Sequence, residues 1–128
     1  DLDPSHIRRA PATLEGGYEA AKLLLTESPE ITAVFAYNDI MAMGALRACR
    51  DLGRQVPHDC AIIGFDDIRL ASISSPSLST VRIDKYELGR AAISRLLEML
   101  QNPTQQFMPL ELPVQLMLRE STLPPVNS

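Results

Sequence analysis

The stretch Ile31-Thr32-Ala33-Val34-Phe35-Ala36-Tyr37-Asn38-Asp39-Ile40-Met41-Ala42-Met43-Gly44-Ala45-Leu46 decides the fold. Its first six residues form a short β-prone apolar run. From Asn38 onward the apolar residues fall at helical spacing, and the helix runs to Leu52, where Gly53 stops it. A second run, Cys60-Ala61-Ile62-Ile63-Gly64-Phe65, is apolar throughout, as in a strand covered on both faces. Strand, helix and buried strand in succession define a parallel β-α-β unit.

The pattern extends in both directions. Ser79 to Ile83 alternates polar with apolar and reads as a strand. Asp84 stands three residues before Glu87 in a capping-box arrangement that opens a helix. That helix carries Ile93, Leu96, Leu97 and Leu100 on one face and ends before Asn102-Pro103. Val114 to Arg119 reads as a last strand after a Pro-rich connection. Upstream, Leu14, Tyr18, Ala21 and Leu25 mark one face of a helix capped by Thr13 and reaching Thr26. A strand over His6 to Arg9 is expected before it. The order is β-α-β-α-β followed by β-α-β, an α/β class: a three-layer α/β/α arrangement on a mainly parallel sheet.

Composition narrows the functions. In 128 residues, 45% are apolar and 22% charged, as in globular domains. No stretch approaches the ~18 unbroken apolar residues of a membrane-spanning helix. Twelve Lys and Arg stand against 16 Asp and Glu, a formal net charge of −4, and no basic stripe forms, so contact of this piece with nucleic acid is not expected. From Asp1 onward there is no basic segment followed by an apolar one, so no signal peptide is visible and a cytoplasmic location is expected. Cys49 and Cys60 lack metal-ligand spacing and read as two free thiols, with a disulfide as the alternative. No metal or cofactor is expected.

Polar residues gather just past the carboxyl ends of two strands: Asn38-Asp39 and Asp66-Asp67. In open α/β sheets that edge is where ligands bind. An amide that donates and accepts, beside a carboxylate, suits a sugar hydroxyl or a nucleobase edge. The same residues also serve as a helix cap (Asn38) and a turn cap (Asp66). Asp39, Asp66 and Asp67 together are a conceivable Mg²⁺ cluster of a metal-dependent phosphotransferase. No Gly-rich phosphate cradle accompanies them, no nucleophile elbow is present, and neither cysteine has a His partner, so no catalytic residue is assigned. The helix after Asn38 is apolar on two flanks. Met43 and Leu46 occupy the second flank, which is either deep burial or a subunit interface.

These blocks resemble the lactose/galactose-repressor (LacI/GalR) family of transcription regulators. The matching segments are Thr32 to Leu46, Gly53-Arg-Gln-Val-Pro-His-Asp59, Ile62-Ile-Gly-Phe-Asp-Asp-Ile68, Pro76-Ser-Leu-Ser-Thr-Val81, Gly89-Arg-Ala-Ala92 and Leu118-Arg-Glu-Ser-Thr122, with Thr13-Leu-Glu-Gly-Gly-Tyr18 ahead of them. The resemblance implies a periplasmic-binding-protein-like effector domain. This chain would be its carboxyl-terminal part, the second subdomain plus a crossover helix, over residues 1–123, with a disordered tail at 124–128. The DNA-binding helix-turn-helix lies outside this chain. By the same resemblance Asn38 and Asp66 match effector contacts, as does Ala12, where the family often has a sugar-stacking aromatic. Met43, Leu46, Leu70 and Ile73 match dimer-interface positions. The implied partners are a small-molecule effector, foremost a sugar, a second copy of the chain, and DNA through the domain not present here. A periplasmic sugar-binding protein of a transporter is the alternative. In this family the helix over residues 86–100 packs on the other subdomain, so its stripe is expected to dock on a second copy or refold against its own domain. Burying four such residues is worth on the order of 6–10 kcal/mol.

Overall fold

The computed structural model describes residues 3–122. A short 3-10 turn (Pro4–His6) leads into α1 (Leu14–Glu27), β1 (Ala33–Phe35), α2 (Asp39–Asp51), β2 (Ala61–Phe65), α3 (Arg69–Ile73), β3 (Ser79–Ile83), α4 (Lys85–Gln101) and β4 (Val114–Met117). The strands form one sheet in the order β1-β2-β3-β4. β1, β2 and β3 run parallel, with Phe35 opposite Ile63 and Phe65 opposite Val81.

Local chemistry sets the helix starts. Thr13, Asn38 and Asp84 each accept a backbone N–H from the third residue on, so each of the three long helices begins at a side-chain cap. α1 and α2 cross closely because their contact is made of glycines. A Cβ on Gly44 would lie 2.2 Å from the Leu14 carbonyl oxygen, and one on Gly17 would lie 2.2 Å from that of Met41. The core between α1, α2 and the sheet holds Ala21, Leu25, Met41, Ala45, Ile62 and Leu78. Cys49 and Cys60 are buried in the same core as free thiols. The hydrogen-bonding Cys60 thiol and burial both push the Cys49 thiol well above its ordinary value.

Three expectations need correction. Residues 6–9 do not form a strand; Pro4 and the Asp3 cap, whose side chain accepts from Ser5 N–H, wind Pro4–His6 into a 3-10 turn, and residues 7–9 follow as irregular chain. The last β-α-β unit is not parallel, since β4 pairs with β3 antiparallel, Val81 opposite Leu116. A parallel return requires the intervening helix to pack back across the sheet. α4 does not do so, and the chain comes back through the connection at 102–113. The α4 stripe therefore does not refold against its own domain. Ile93, Leu96, Leu97 and Leu100 are 52–70% exposed. The tail at 124–128 lies outside the described residues.

Candidate functional site

Parallel pairing brings the two polar pairs to one rim. Phe35 lies opposite Ile63, so Asn38 and Asp66 each follow three residues beyond a paired position on neighbouring strands. Their neighbours lock this proximity: the Asp39 carboxylate accepts the Ile68 N–H at 2.8 Å, tying the start of α2 to the loop after β2. Asn38 is half-buried, and its Oδ1 accepts the Met41 N–H at 2.9 Å, so the helix-cap role is real. The cap engages one atom of the amide. Among the described residues its Nδ2 and the half-buried Asp66 carboxylate have no hydrogen-bond partner. Tyr37, 77% exposed, directly precedes Asn38 in the chain.

The other two carboxylates are already committed. Asp39 is fully buried; the Thr80 hydroxyl donates to its Oδ1 at 2.5 Å. Burial pushes its carboxyl above the ordinary range, against the pull of the Thr80 and Ile68 hydrogen bonds. Gly64 makes room for it, since a Cβ there would lie 2.3 Å from Asp39 Oδ1. Asp67 accepts from Arg119 Nη2 and from Arg82 Nε, each at 2.6 Å. Burial raises its carboxyl, but the two guanidiniums outweigh that and hold it below the ordinary range. The three aspartates thus do not converge as a Mg²⁺ cluster. One binds backbone and hydroxyl donors inside the fold, one is clamped by cations, and only Asp66 stands open.

The loop between them is strained. Asp66 and Asp67 both have positive φ, 107° and 47°. Each such non-glycine residue costs on the order of 1–3 kcal/mol and persists only where the surroundings fix it. Here the Asp66 N–H donates to Val81 O at 2.9 Å and the Asp67 N–H to Thr80 Oγ1 at 3.3 Å. Thr80, Arg82 and Arg119 were missed as site residues, because two of them sit on an alternating strand and the third beyond the last one. Their distance in sequence from Asp67 leaves no local signal.

Ala12 is exposed, one residue before the Thr13 cap of α1, and offers no polar atom of its own. The remaining candidates lie on another surface. Met43 and Leu46 line a groove of about 450 Å³ with Arg47, Arg50 and Ser74-Ser75-Pro76. Leu70 and Ile73 on the adjoining α3 are 51% and 68% exposed. The second apolar flank of α2 is thus half-buried against the core, with its outer side lining the groove.

A mainly parallel open sheet with polar groups on its strand tips is the architecture of the periplasmic-binding-protein-like domains. The chain belongs to the periplasmic binding protein-like domain family, whose model matches residues 2–122. It is 41% identical over 120 residues to the ribose operon repressor of Haemophilus influenzae, covering 94% of this chain and 36% of that protein. It is 37% identical over 123 residues to the HTH-type transcriptional repressor PurR of the same organism, covering 94% of this chain and 37% of that protein. A LacI family transcriptional regulator from Arthrobacter sp. FB24, solved in complex with lactose, superposes with a TM-score of 0.77 at 44% identity, covering 89% of this chain and 43% of that one. The resemblance to the LacI/GalR effector domain is borne out. The chain spans about a third of the length of the curated relatives it matches.

Proposed function

We propose that this chain is the carboxyl-terminal part of the effector-binding and dimerisation domain of a cytoplasmic LacI-type transcriptional repressor, with binding and no catalysis as its task. The observation that carries it is the rim where Asn38 and Asp66, whose carboxylate is unengaged among the described residues, each stand three residues past a paired position on neighbouring strands. Such a pair hydrogen-bonds vicinal hydroxyls, so a sugar is the effector class. Ala12, in the segment that leads into α1, is assigned to the same site from the family resemblance. A ligand that prefers one arrangement of this subdomain and its neighbour shifts the balance between the two, and through the dimer it respaces the DNA-reading heads. Met43, Leu46, Leu70 and Ile73 form the homodimer face, and DNA is contacted through a helix-turn-helix outside this chain. The named relatives are repressors, which favours this reading over a transporter's sugar-binding protein.

Calorimetric titration of the full-length protein with ribose and with lactose tests this. Asp66→Asn and Asn38→Ala are expected to weaken binding by at least about tenfold, or ~1.4 kcal/mol. Asn38→Ser keeps the helix cap but not the amide, and is expected to melt like the parent while binding as poorly as Asn38→Ala. Undiminished affinity in Asp66→Asn and Asn38→Ala overturns the site.

A further inference from the structure

We infer that Asp67, clamped by Arg82 and Arg119, is a positioning residue that sets the backbone turn of Asp66 and couples the ligand rim to the two strands flanking the α4 excursion. This rests on the sensing function proposed above and extends it to residues that touch no ligand.

The placement is specific. Arg82 is the penultimate residue of β3, two residues before the Asp84 cap of α4. Arg119 lies two residues past β4, the strand that brings the chain back. Their guanidiniums meet on the two oxygens of one carboxylate, whose side chain is only 6% exposed. Arg119 is held in turn, its Nη1 donating to Leu78 O at 2.8 Å. Asp66 is covalently next to the clamped residue, and both have positive φ. A displacement of the β3 or β4 end moves a guanidinium, and the only soft elements between it and the Asp66 carboxylate are the dihedrals of two residues. Conversely, a guest that pulls on Asp66 acts on the same clamp. Each guanidinium donates one charge-assisted N–H to its own carboxylate oxygen, and holding both oxygens fixes the carboxylate plane, which suits a part that must transmit position.

The test uses Arg82→Gln, Arg82→Lys and Asp67→Asn in the full-length protein. The Arg82 side chain is 47% exposed, so its removal leaves the core intact. Arg82→Gln, which leaves Arg119 on Asp67, is expected to melt much nearer the parent than Asp67→Asn does, yet bind ribose or lactose about tenfold more weakly, with most of the affinity recovered in Arg82→Lys. A shift of the melting temperature in step with the affinity, or unchanged affinity, overturns the coupling. Crystal structures of Arg82→Gln and Asp67→Asn give a readout independent of the ligand: φ at Asp66 is expected to leave the positive region in Asp67→Asn, and its retention in both variants overturns the inference. If the parent binds neither sugar, the sugar assignment fails by itself, and the Asp66 dihedral decides the positioning role.

Discussion

Asp67 shows how one side chain can be chosen for what it holds rather than what it binds. Its carboxyl is kept below the ordinary range by Arg119 and Arg82 in spite of burial. A group depressed on folding contributes stability above its unfolded pKa, and that contribution is lost as pH falls toward the folded value. Urea unfolding of the parent and Asp67→Asn should therefore show a gap of about 1–3 kcal/mol near neutrality. The gap is expected to narrow once the pH drops below the ordinary carboxylate range. A gap that is constant down to strong acid contradicts the ion-pair account. Asn38 and Asp66 were legible in the sequence because both follow apolar runs directly. Asp67's partners were not, because Arg82 and Arg119 approach it only after β3 and β4 have paired.

Helix capping and the glycine-lined crossing govern the elements. Thr13, Asn38 and Asp84 announced their helices, since a cap acts within three residues of itself. The α1–α2 contact was invisible for the opposite reason: Gly17 and Gly44 come from separate segments, and nothing local marks them as touching. Gly44→Ala places a methyl against the Leu14 and Tyr18 backbone, which cannot swing aside as a side chain could. We expect a loss of about 2–3 kcal/mol, read by chemical denaturation. The neighbouring Ala42→Gly change, which removes a buried methyl from the same helix without a clash, separates overpacking from simple helix weakening. It should cost about 1–2 kcal/mol from propensity and lost burial together. The short strand expected at His6 to Arg9 failed at this scale too, because the Asp3 cap and Pro4 commit the chain to a turn first.

For the molecule as a whole, α4 is the unresolved debt of this chain. Its apolar stripe, with Leu116 and Leu118 on and beside β4, is more than half exposed. In a protein about three times as long, as its relatives are, the remaining chain is available to cover it. The isolated chain has only itself, so it is expected to associate through this face. Sedimentation velocity over a concentration series should show association that the Ile93→Glu/Leu97→Glu double variant lowers. At dilutions where the parent is monomeric the melting temperature should be unaffected, since neither residue is buried in the single chain. Association that persists undiminished in the double variant shifts the contact to the Met43 and Leu46 groove.

By itself the sequence determined the four strands and three long helices, though not the short α3 and with a strand wrongly expected at His6 to Arg9, together with where each long helix begins, the family, and the pair of residues past the carboxyl ends of β1 and β2. All of these rest on chemistry within a few residues of each other or on a motif's order along the chain. Only the tertiary structure decided that β4 runs antiparallel, that α4 stands off the sheet, and that two of the three rim aspartates are spent on Thr80, Ile68, Arg82 and Arg119. Those outcomes depend on groups 15 to 52 positions apart meeting in space, and pairing of that range leaves no periodicity to read.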